Sequence, residues 1–535
     1  MTRQTVSICI FLFICLIGCS NGEEGPLLQT NIGEFEGKLL DFDGKVSVEA
    51  FYGLPFAKKP NKFEKPEPPE PFKERRFAVD HKSACNQIPF RAKSNLEGSD
   101  DCLYLNLFKP HEKSHDGKGY PLVLFVHGGA YQAGSALGHS QNYMAEWQAL
   151  LWIRENAKQM DIDVDRITLW GYSAGASIAS HMTLSEHTRD LFAQVIQMSG
   201  GGFNEWSLTE STVKTTLELA EKLGCSKKEG RDIKKCFQSF DDESILDAVR
   251  EIPDIGLSLK HLKFAPRLDN DFFRTNLWSL LEDAPPKPTL SSILENECLV
   301  FVAYDAFLTS HYIPAEERKK FDLKSVEKLF REDWFTKERF GEKAEEVMEK
   351  VLDFYVKRPS LSPKDNNFYL NEYSRFISDQ TLVVTQMREL LAKVRNGWPV
   401  YNLLNTHREN LNRNFPDAIS SETVHGADIS FLYGVPLLGD LNFTKTDREY
   451  RDHLIGAILE FVKSGNPNSD NKHDFVQATK KRPFAYTVLN HEIKVSDGLF
   501  KDSVEFWDDI INEYGYDIFF GIPLNEWVKQ TKDEL

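Results

Sequence analysis

The first part of the chain alternates apolar and polar positions in two runs that predict a β-hairpin. These runs are "GEFEGKLL" and "KVSVEAFYGLPFA", and Asp43-Gly44 between them has the composition of a tight turn. Further along, "YPLVLFVHGG" is a continuous apolar run, which is typical of a strand buried on both faces. The chain therefore begins with an antiparallel element and continues into a buried sheet.

Helical and strand-like patterns alternate in the next part of the chain. "MAEWQALLWIRENAKQM" has helical apolar spacing, "RITLWGYS" returns to a strand, residues 174–184 resume as helix, and "AQVIQMSGGG" is strand-like again. This alternation predicts an α/β fold with a mostly parallel central sheet flanked by helices. Residues 210–250 and 315–357 are helical and highly charged, as expected of helices beside such a sheet. No repeat or linker marks a second domain, so we assign residues 25–520 to a single domain.

The balance of charge excludes several classes of partner. The formal net charge is -17 and the isoelectric point is near 5.4, while 41% of the residues are hydrophobic. A protein that neutralises phosphates needs a basic face, and we find no run of Lys and Arg that would supply one. We therefore expect no nucleic-acid partner and no anionic membrane surface, but a large packed core.

Both ends of the chain carry targeting patterns. The apolar run "VSICIFLFICLIGCS" follows Arg3 and is too short to span a bilayer, so it predicts a secretory signal peptide over residues 1–20. An alternative reading of "LIGC" is a bacterial lipoprotein box with Cys19 as the lipidated residue. The C-terminal Lys532–Leu535 argues against it, because KDEL at that position is an endoplasmic-reticulum retention signal. We expect a protein of the endoplasmic-reticulum lumen, a retrieval receptor as its partner and no membrane anchor.

Five cysteines lie outside the predicted signal. They are Cys85, Cys102, Cys225, Cys236 and Cys298. In an oxidising lumen, the close pairs 85 with 102 and 225 with 236 would each close a short loop, and Cys298 would be left over. Neither a Cys-x-x-Cys nor a His-x-x-x-His spacing is present, so no zinc site is predicted. Asn442 begins an Asn-Phe-Thr glycosylation acceptor.

A serine between two glycines is the candidate nucleophile. In "DRITLWGYSAGAS" the serine is Ser173, which lies between a strand and a helix as in a nucleophile elbow. The earlier strand ends in His127-Gly128-Gly129-Ala130, whose small residues would let backbone N–H groups approach a substrate oxygen. Together these two turns indicate acyl-transfer chemistry.

Four ordered segments resemble signatures of the type-B carboxylesterases, the cholinesterase-like branch of the α/β hydrolases. They are "SDDCLYLN", "HGGA", "GYSAGAS" and "VHGADISFLYG", and "FAPRLDNDFF" and "FVKSGNPN" resemble two further segments of the family. The resemblance runs from about residue 25 to about residue 515. It implies an α/β-hydrolase fold.

The resemblance also implies the roles of individual residues. Ser173 matches the family nucleophile and His425 the general base, while Glu297 matches the acid, with Cys298 where the family usually has glycine. Asp305 is the alternative acid, because it also keeps the chain order serine, acid, histidine.

Further implications concern the oxyanion and the disulfides. The backbone N–H groups of Gly129, Ala130 and Ala174 would form the oxyanion hole. Both close cysteine pairs match family disulfides. The implied mechanism needs neither a metal nor an organic cofactor.

The chain departs from the family in three places. Tyr172 stands where an acidic residue usually precedes the serine, and the loop from Cys85 to Cys102 has no Trp, so choline esters are not expected as substrates. Between "HGGAYQAGSALGH" and "QNYMAEWQALLWIREN" one internal strand of the sheet is missing. Unpaired backbone groups inside a sheet cost about 1–3 kcal/mol each. Either neighbouring strands close the gap, or this chain is a defective splice form or gene product.

The expected function is hydrolysis of small apolar esters or amides through a Ser-His-Glu triad and an acyl-enzyme. The alternative is a catalytically impaired, cholinesterase-like binding or adhesion relative, or a truncated splice form. A lipase or thioesterase would share the same chemistry and differ only in its acyl pocket.

Overall fold

A mostly parallel sheet forms the centre of the fold. The structure is a computed structural model that describes residues 25–42, 44, 46–88, 98–135, 143–225, 229–252, 262–304, 311–359, 364–408, 419–420, 422–433, 443–468, 474–517 and 522–523. The predicted signal peptide, Asp305, Asn442 and Lys532–Leu535 lie outside the described residues.

The strands and helices are numbered along the chain. The strands are β1 (Leu27–Thr30), β2 (Gly33–Glu36), β3 (Lys38–Phe42), β4 (Val46–Pro55), β5 (Arg76–Phe77), β6 (Ala84–Cys85), β7 (Gly98–Ser99), β8 (Tyr104–Pro110), β9 (Tyr120–Val126), β10 (Ile162–Tyr172), β11 (Gln194–Met198), β12 (Thr289–Leu294), β13 (Val400–Asn405), β14 (Gln477–Ala478), β15 (Tyr486–Leu489), β16 (Ile493–Ser496), β17 (Tyr516–Asp517) and β18 (Ile522–Pro523). The α-helices are α1 (Tyr143–Asn156), α2 (Ala174–Leu184), α3 (Ser211–Lys222), α4 (Gly230–Phe237), α5 (Asp242–Arg250), α6 (Leu277–Asp283), α7 (Leu299–Ala303), α8 (Ala315–Arg318), α9 (Leu323–Leu329), α10 (Lys337–Phe340), α11 (Ala344–Leu352), α12 (Asn366–Ser378), α13 (Val384–Arg395), α14 (Ala427–Tyr433), α15 (Lys445–Ser464) and α16 (Lys501–Tyr514). Short π or 3-10 segments lie at Phe330–Trp334, Gly341–Lys343, Asp353–Lys357 and Asp379–Val383.

The central sheet has the strand order β16-β15-β13-β12-β11-β10-β9, and β14 pairs with β13. The neighbours from β9 to β13 run parallel, as do β13 and β15. Every residue of β11 and β12 is buried, as expected of the inner strands of a parallel sheet. Because parallel strands end at the same edge, the loops after β9, β10, β11 and β12 meet there, where open α/β sheets bind ligands. The predicted fold class is confirmed.

The predicted hairpin is present and belongs to a separate sheet. Strands β3 and β4 pair antiparallel around the turn at Gly44, and β8 pairs antiparallel with β4. This three-stranded sheet ends at β8, and the central sheet ends at β9. In the part of the chain that the structure describes, β8 and β9 therefore belong to different sheets, and the first of the two alternatives, closure of the gap by neighbouring strands, is not observed. Most residues of β9 are only half-buried, unlike those of β11 and β12.

The helices follow the predicted pattern with differences in detail. Helix α2 has the predicted bounds, and α1 ends four residues before the predicted end. The charged stretch 210–250 forms three helices, and 315–357 is divided by π and 3-10 turns. In the described chain, no helix is both long and apolar enough to cross a membrane.

Two disulfides join the predicted cysteine pairs. Cys85 bonds to Cys102 and Cys225 bonds to Cys236, closing loops with sequence separations of 17 and 11 residues. Loops of this length give about 3 kcal/mol of stabilisation each in the chain-entropy description. The second disulfide lies in a small hydrophobic cluster of its own, which includes Leu219 and Phe237. Cys298 is buried and outside any disulfide.

Candidate active site

Ser173 lies in a sharp turn between β10 and α2. Its φ of 56° and ψ of -125° are unusual for a residue with a side chain, and such strain is typical of a nucleophile elbow. The backbone N–H of Ser173 donates to the Met198 carbonyl at 2.8 Å, which fixes the turn against β11. The two flanking glycines have no room for a side chain. A Cβ at Gly171 would lie 2.1 Å from the Gly175 carbonyl oxygen, and one at Gly175 would lie 2.2 Å from the Val126 carbonyl oxygen.

His425 lies just before α14 and reaches the elbow from another part of the chain. Its Nε2 atom is 3.0 Å from the Ser173 Oγ, and its Nδ1 atom is 2.8 Å from Oε2 of Glu297. A carboxylate only accepts hydrogen bonds, so Nδ1 carries the proton and Nε2 is left free to accept the serine proton. The backbone N–H of His425 also donates to the Glu297 carbonyl at 3.1 Å, which holds the two segments together.

Glu297 follows β12 and is completely buried. Its second carboxylate oxygen, Oε1, accepts the backbone N–H of Leu294 at 2.9 Å. The structure thus brings Ser173, His425 and Glu297 into one hydrogen-bonded chain, although they are far apart in sequence. Asp305, the alternative acid, lies outside the described residues.

Cys298, next to the acid, is not suited to be a nucleophile. Burial raises the pKa of its thiol to about 12, so the thiolate is disfavoured at neutral pH. Its Sγ atom lies 3.1 Å from the Thr381 Oγ1, and its backbone N–H donates to the Ser378 Oγ at 2.8 Å. The residue is fully buried and immediately precedes α7.

The turn after β9 lies directly against the elbow. Gly129, Ala130 and Tyr131 all have positive φ values, of 128°, 53° and 55°. A Cβ at Gly128 would lie 2.8 Å from the Ser173 Cβ, so the backbone of the turn approaches the serine as closely as it can. Ala174 is the first residue of α2, so its N–H has no partner within the helix. Gly129, Ala130 and Ala174 are the positions predicted for the oxyanion donors.

Three further residues at the site were missed by the sequence reasoning or given no role in it. The ring of Tyr172 stacks on the His425 imidazole at a centroid distance of 5.0 Å, and Phe301 lies 5.2 Å from the same imidazole. Asp428 is fully buried and accepts a hydrogen bond from Ser292 Oγ at 2.9 Å. Burial, with the nearby charge of Glu297, raises the pKa of Asp428 to about 6. The aspartate three residues after the histidine in "HGAD" was the signal that could have found it.

A cavity of about 1020 Å³ opens over Ser173 and His425. It lies at the upper end of the size range of small-molecule sites. Apolar side chains, among them Trp206, Val300 and Leu382, form much of its wall. In the described part of the chain, no three His, Cys, Asp or Glu side chains are grouped so that they could hold a metal ion.

The matches to known proteins cover nearly the whole chain. A family model described as the carboxylesterase family matches residues 24–148 and 146–507. The chain belongs to the carboxylesterase family. It is therefore a serine carboxylic ester hydrolase with an α/β-hydrolase fold, as the sequence predicts.

The chain is similar to proteins named as an esterase, a lipase and a cholinesterase. Gut esterase 1 of Caenorhabditis elegans is 27% identical, and the alignment covers 96% of this chain and 97% of the relative. Bile salt-activated lipase of Rattus norvegicus is 24% identical over 86% of this chain and 80% of its own length. Cholinesterase of Mus musculus is 24% identical over 94% and 90% of the two chains.

The family match is divided into two parts, and the alignment with Gut esterase 1 is longer than this chain. The family match falls into two parts that meet at residues 146–148, at the start of α1. The alignment with Gut esterase 1 spans 567 residues, more than the 535 of this chain, so the relative carries residues that have no counterpart here.

The packing of Gly175 against β9 leads to a prediction. Gly175→Ala places a Cβ 2.2 Å and 2.4 Å from two backbone carbonyl oxygens, of Val126 and His127, so the turn after β9 must move away from Ser173. We expect kcat/KM for p-nitrophenyl butyrate to fall about 10²-fold and the protein to lose about 1–3 kcal/mol of stability. Esterase assays and denaturant unfolding measure the two effects.

The matched control is Gly456→Ala in α15. A Cβ there meets nothing within 4 Å. Alanine in the middle of a helix is about 0.5–1 kcal/mol more stable than glycine. This variant should keep its activity and gain stability, and equal behaviour of the two variants would contradict the close packing described for the elbow.

Proposed function

We propose that the protein hydrolyses small apolar carboxylic esters or amides through a triad of Ser173, His425 and Glu297. The observation that carries the proposal is the continuous hydrogen-bonded chain, with 3.0 Å from Ser173 Oγ to the imidazole and 2.8 Å from the imidazole to the carboxylate. Nucleophile, base and orienting acid at these distances are what acyl transfer on a serine requires.

The mechanism follows from the protonation states of this chain of groups. His425 Nε2 takes the proton of Ser173 Oγ as that oxygen attacks the ester carbonyl, and Glu297 stabilises the imidazolium through Nδ1. The imidazolium then gives its proton to the leaving alcohol, and the acyl group remains on the serine. A water molecule that loses its proton to His425 attacks the acyl-enzyme and releases the acid.

The oxyanion that develops in both steps needs donors. Backbone N–H groups of Gly129, Ala130 and Ala174 are proposed for this role, because the positive φ values of the turn and the start of α2 bring these residues to the serine. The loss of one such donor typically lowers kcat by about 10²-fold or more.

The wall of the cavity supports an apolar substrate. Trp206, Val300 and Leu382 border it. Tyr172 places an uncharged ring beside His425, whereas an acidic residue at that position would favour a cationic substrate. The loop from Cys85 to Cys102 has no Trp on which a quaternary ammonium could stack, so we do not expect choline esters as substrates. The assay below measures the acyl-chain preference.

The assay is pre-steady-state hydrolysis of p-nitrophenyl esters of increasing acyl length by the purified protein. We expect a burst of one nitrophenolate per active site followed by slower turnover, because an activated nitrophenyl ester acylates the serine faster than water attacks the acyl-enzyme. Hydrolysis no faster than in buffer alone would contradict the proposal.

A second candidate is a catalytically impaired binding or adhesion relative, or a truncated form. The open gap between β8 and β9 favours it, because β9 leads directly into the turn proposed for the oxyanion. The same burst experiment distinguishes the two candidates, since the impaired form gives no burst.

We propose further that the protein resides in the lumen of the endoplasmic reticulum. The two disulfides support an oxidising compartment, and the N-terminal apolar run, the acceptor at Asn442 and the C-terminal Lys532–Leu535 are all patterns of the secretory pathway. The retrieval receptor that reads this C-terminal signal is the proposed partner.

Deletion of Lys532–Leu535 should send the protein into the culture medium of secretory cells. Without the signal the retrieval receptor has nothing to bind, whereas a Thr531→Ala control keeps the signal and should remain inside. Immunoblots of medium and lysate measure the ratio, and retention of the deleted form would contradict the proposed location.

A further inference from the structure

The ring of Tyr172 lies over a face of the His425 imidazole. The two ring centroids are 5.0 Å apart and the ring planes are inclined by 29°, which is a stacked arrangement. Both imidazole nitrogens make hydrogen bonds at the edge of the ring, one to Ser173 and one to Glu297. The stacking with Tyr172 therefore exists alongside these two hydrogen bonds and does not compete with them.

Two neighbours fix the position of the Tyr172 ring. Tyr172 is the last residue of β10, and it is paired in register with Met198 of β11. A Cβ at Gly128 would lie 2.9 Å from the Tyr172 Cδ1, so the ring packs against the backbone of the turn after β9. The ring is thus held both by the strand that carries it and by the turn beside it.

An aromatic face attracts a cation more strongly than it attracts a neutral ring. The face of a tyrosine ring carries partial negative charge, so it attracts a cation within about 6 Å of its centroid. In the proposed mechanism His425 is neutral at rest and becomes an imidazolium when it takes the proton of Ser173. The attraction from Tyr172 therefore grows as the transition state forms, and interactions that grow in this way raise the rate.

We propose that Tyr172 is a positioning residue that speeds ester hydrolysis by stabilising the His425 imidazolium through a cation–π contact, a role that rests on the proposed function of His425 as the general base. Tyr172 and His425 border the same largely apolar cavity, where a charge is screened less than in water. Phe301 also lies near the imidazole, but its plane is inclined by 46°, and we assign it no such role.

The contact stabilises the imidazolium without adding a negative charge to the cavity. A carboxylate beside the imidazole would also favour its charged form. It would, however, attract a cationic substrate as well, whereas the uncharged ring of Tyr172 acts on the imidazole over which it lies. The cavity therefore keeps its match to uncharged, apolar esters while the base is still assisted.

The test replaces Tyr172 in the full chain by phenylalanine and by phenylalanines that carry one, two and three ring fluorines. Fluorines withdraw electron density from the face of the ring and nearly preserve its shape. We expect Tyr172→Phe to keep kcat for p-nitrophenyl butyrate within about twofold of the wild type, and each fluorine to lower kcat by about twofold. KM should stay constant, because acylation and deacylation both pass through the imidazolium and slow by the same factor.

Tyr172→Leu removes the aromatic face altogether. This variant should lower kcat by about tenfold, which is the rate equivalent of a desolvated cation–π contact. Thermal unfolding midpoints of all variants show whether the fold is kept, and the fluorinated series reports on the ring even if the leucine variant does not fold.

The matched control is the same fluorinated series at Tyr450. Its ring stacks on the His407 imidazole at a centroid distance of 4.7 Å and an interplanar angle of 15°. The Nε2 atom of His407, however, lies 2.7 Å from a carboxylate oxygen of Asp447 and not beside the serine. Fluorination at Tyr450 should therefore leave kcat equal to that of Tyr450→Phe.

A constant kcat along the series at position 172, with an active wild type, would overturn the cation–π role alone, because the ring would then act through its shape. An equal fall along the series at position 450 would overturn it too. A wild type without esterase activity would overturn the proposed function, and the role of Tyr172 with it.

Inhibition by hexyl trifluoromethyl ketone gives an independent measurement. The Ser173 oxygen bonds to the ketone carbon, the serine proton moves to His425 Nε2, and the carbonyl oxygen becomes an oxyanion. Because this adduct contains the imidazolium, its inhibition constant should rise by about twofold with each fluorine at position 172. An inhibition constant that does not depend on fluorination would contradict the proposal.

Discussion

Replacing Ser173 by alanine lowers kcat/KM for p-nitrophenyl butyrate by about 10⁴-fold or more, because the proposed nucleophile is lost and only the binding groups and oxyanion donors remain. Stability changes little, since the hydroxyl makes its hydrogen bond to His425 beside the cavity rather than in the packed core. Initial rates at several substrate concentrations give kcat/KM, and thermal unfolding checks the fold.

The control for this variant is Ser83→Ala, which removes the hydroxyl of an exposed serine. It should keep the activity of the wild type. A Ser173→Ala protein within tenfold of the wild-type kcat/KM would show that the hydrolysis does not use this serine.

Glu297→Gln lowers kcat/KM by a similar factor, about 10⁴-fold, through the tautomer of His425. The side-chain oxygen of the glutamine keeps the hydrogen bond from the Leu294 N–H, so its NH₂ group faces the imidazole. Nδ1 must then accept a hydrogen bond, and the proton moves to Nε2. In that form His425 cannot take the proton of the serine, although no group has moved.

The comparison with Asp305→Asn decides which acid the triad uses. Asp305 is the alternative from the sequence, and its amide variant should stay within a few-fold of the wild-type kcat/KM. The opposite pattern, a large loss in Asp305→Asn and a small one in Glu297→Gln, would overturn the assignment of Glu297. Retained thermal unfolding midpoints in both variants would exclude misfolding as the cause.

Much of the fold could be predicted because its signals are local. The alternating runs around Gly44 and the continuous apolar run of β9 each specify a strand by the burial of its faces, and α2 begins and ends where its pattern does. The π turns at Phe330–Trp334 and Asp353–Lys357 were not predicted. They depend on contacts with other elements, which sequence periodicity does not record.

The candidate site was predictable to a different degree for each residue. The elbow of Ser173 and the turn after β9 are strand-to-loop motifs readable in a few residues. His425 and Glu297 are separated by 128 residues, so only the resemblance to a family brought them together. The stacking of Tyr172 on the imidazole and the burial of Asp428 exist only in the folded chain, so neither contact could be predicted from the sequence.

The gap between β8 and β9 is a point that the sequence left open. The missing strand could be noticed from the chain, but whether its neighbours would close the gap depends on how β4 holds β8 and β10 holds β9. Both pairings are extensive, so each strand stays with its own sheet. Closing the gap would require one of these ladders to be shifted or broken, with the loss of its hydrogen bonds.

A crystal structure of the protein after reaction with a phosphonate ester tests the central claim most directly, because the phosphonate imitates the tetrahedral intermediate. The account predicts phosphorus bonded to Ser173 Oγ and a phosphoryl oxygen within hydrogen-bond reach of the N–H groups of Gly129, Ala130 and Ala174. It also predicts the His425 imidazole between that serine and Glu297. A phosphonate on another residue, or an imidazole turned away from both partners, would contradict it.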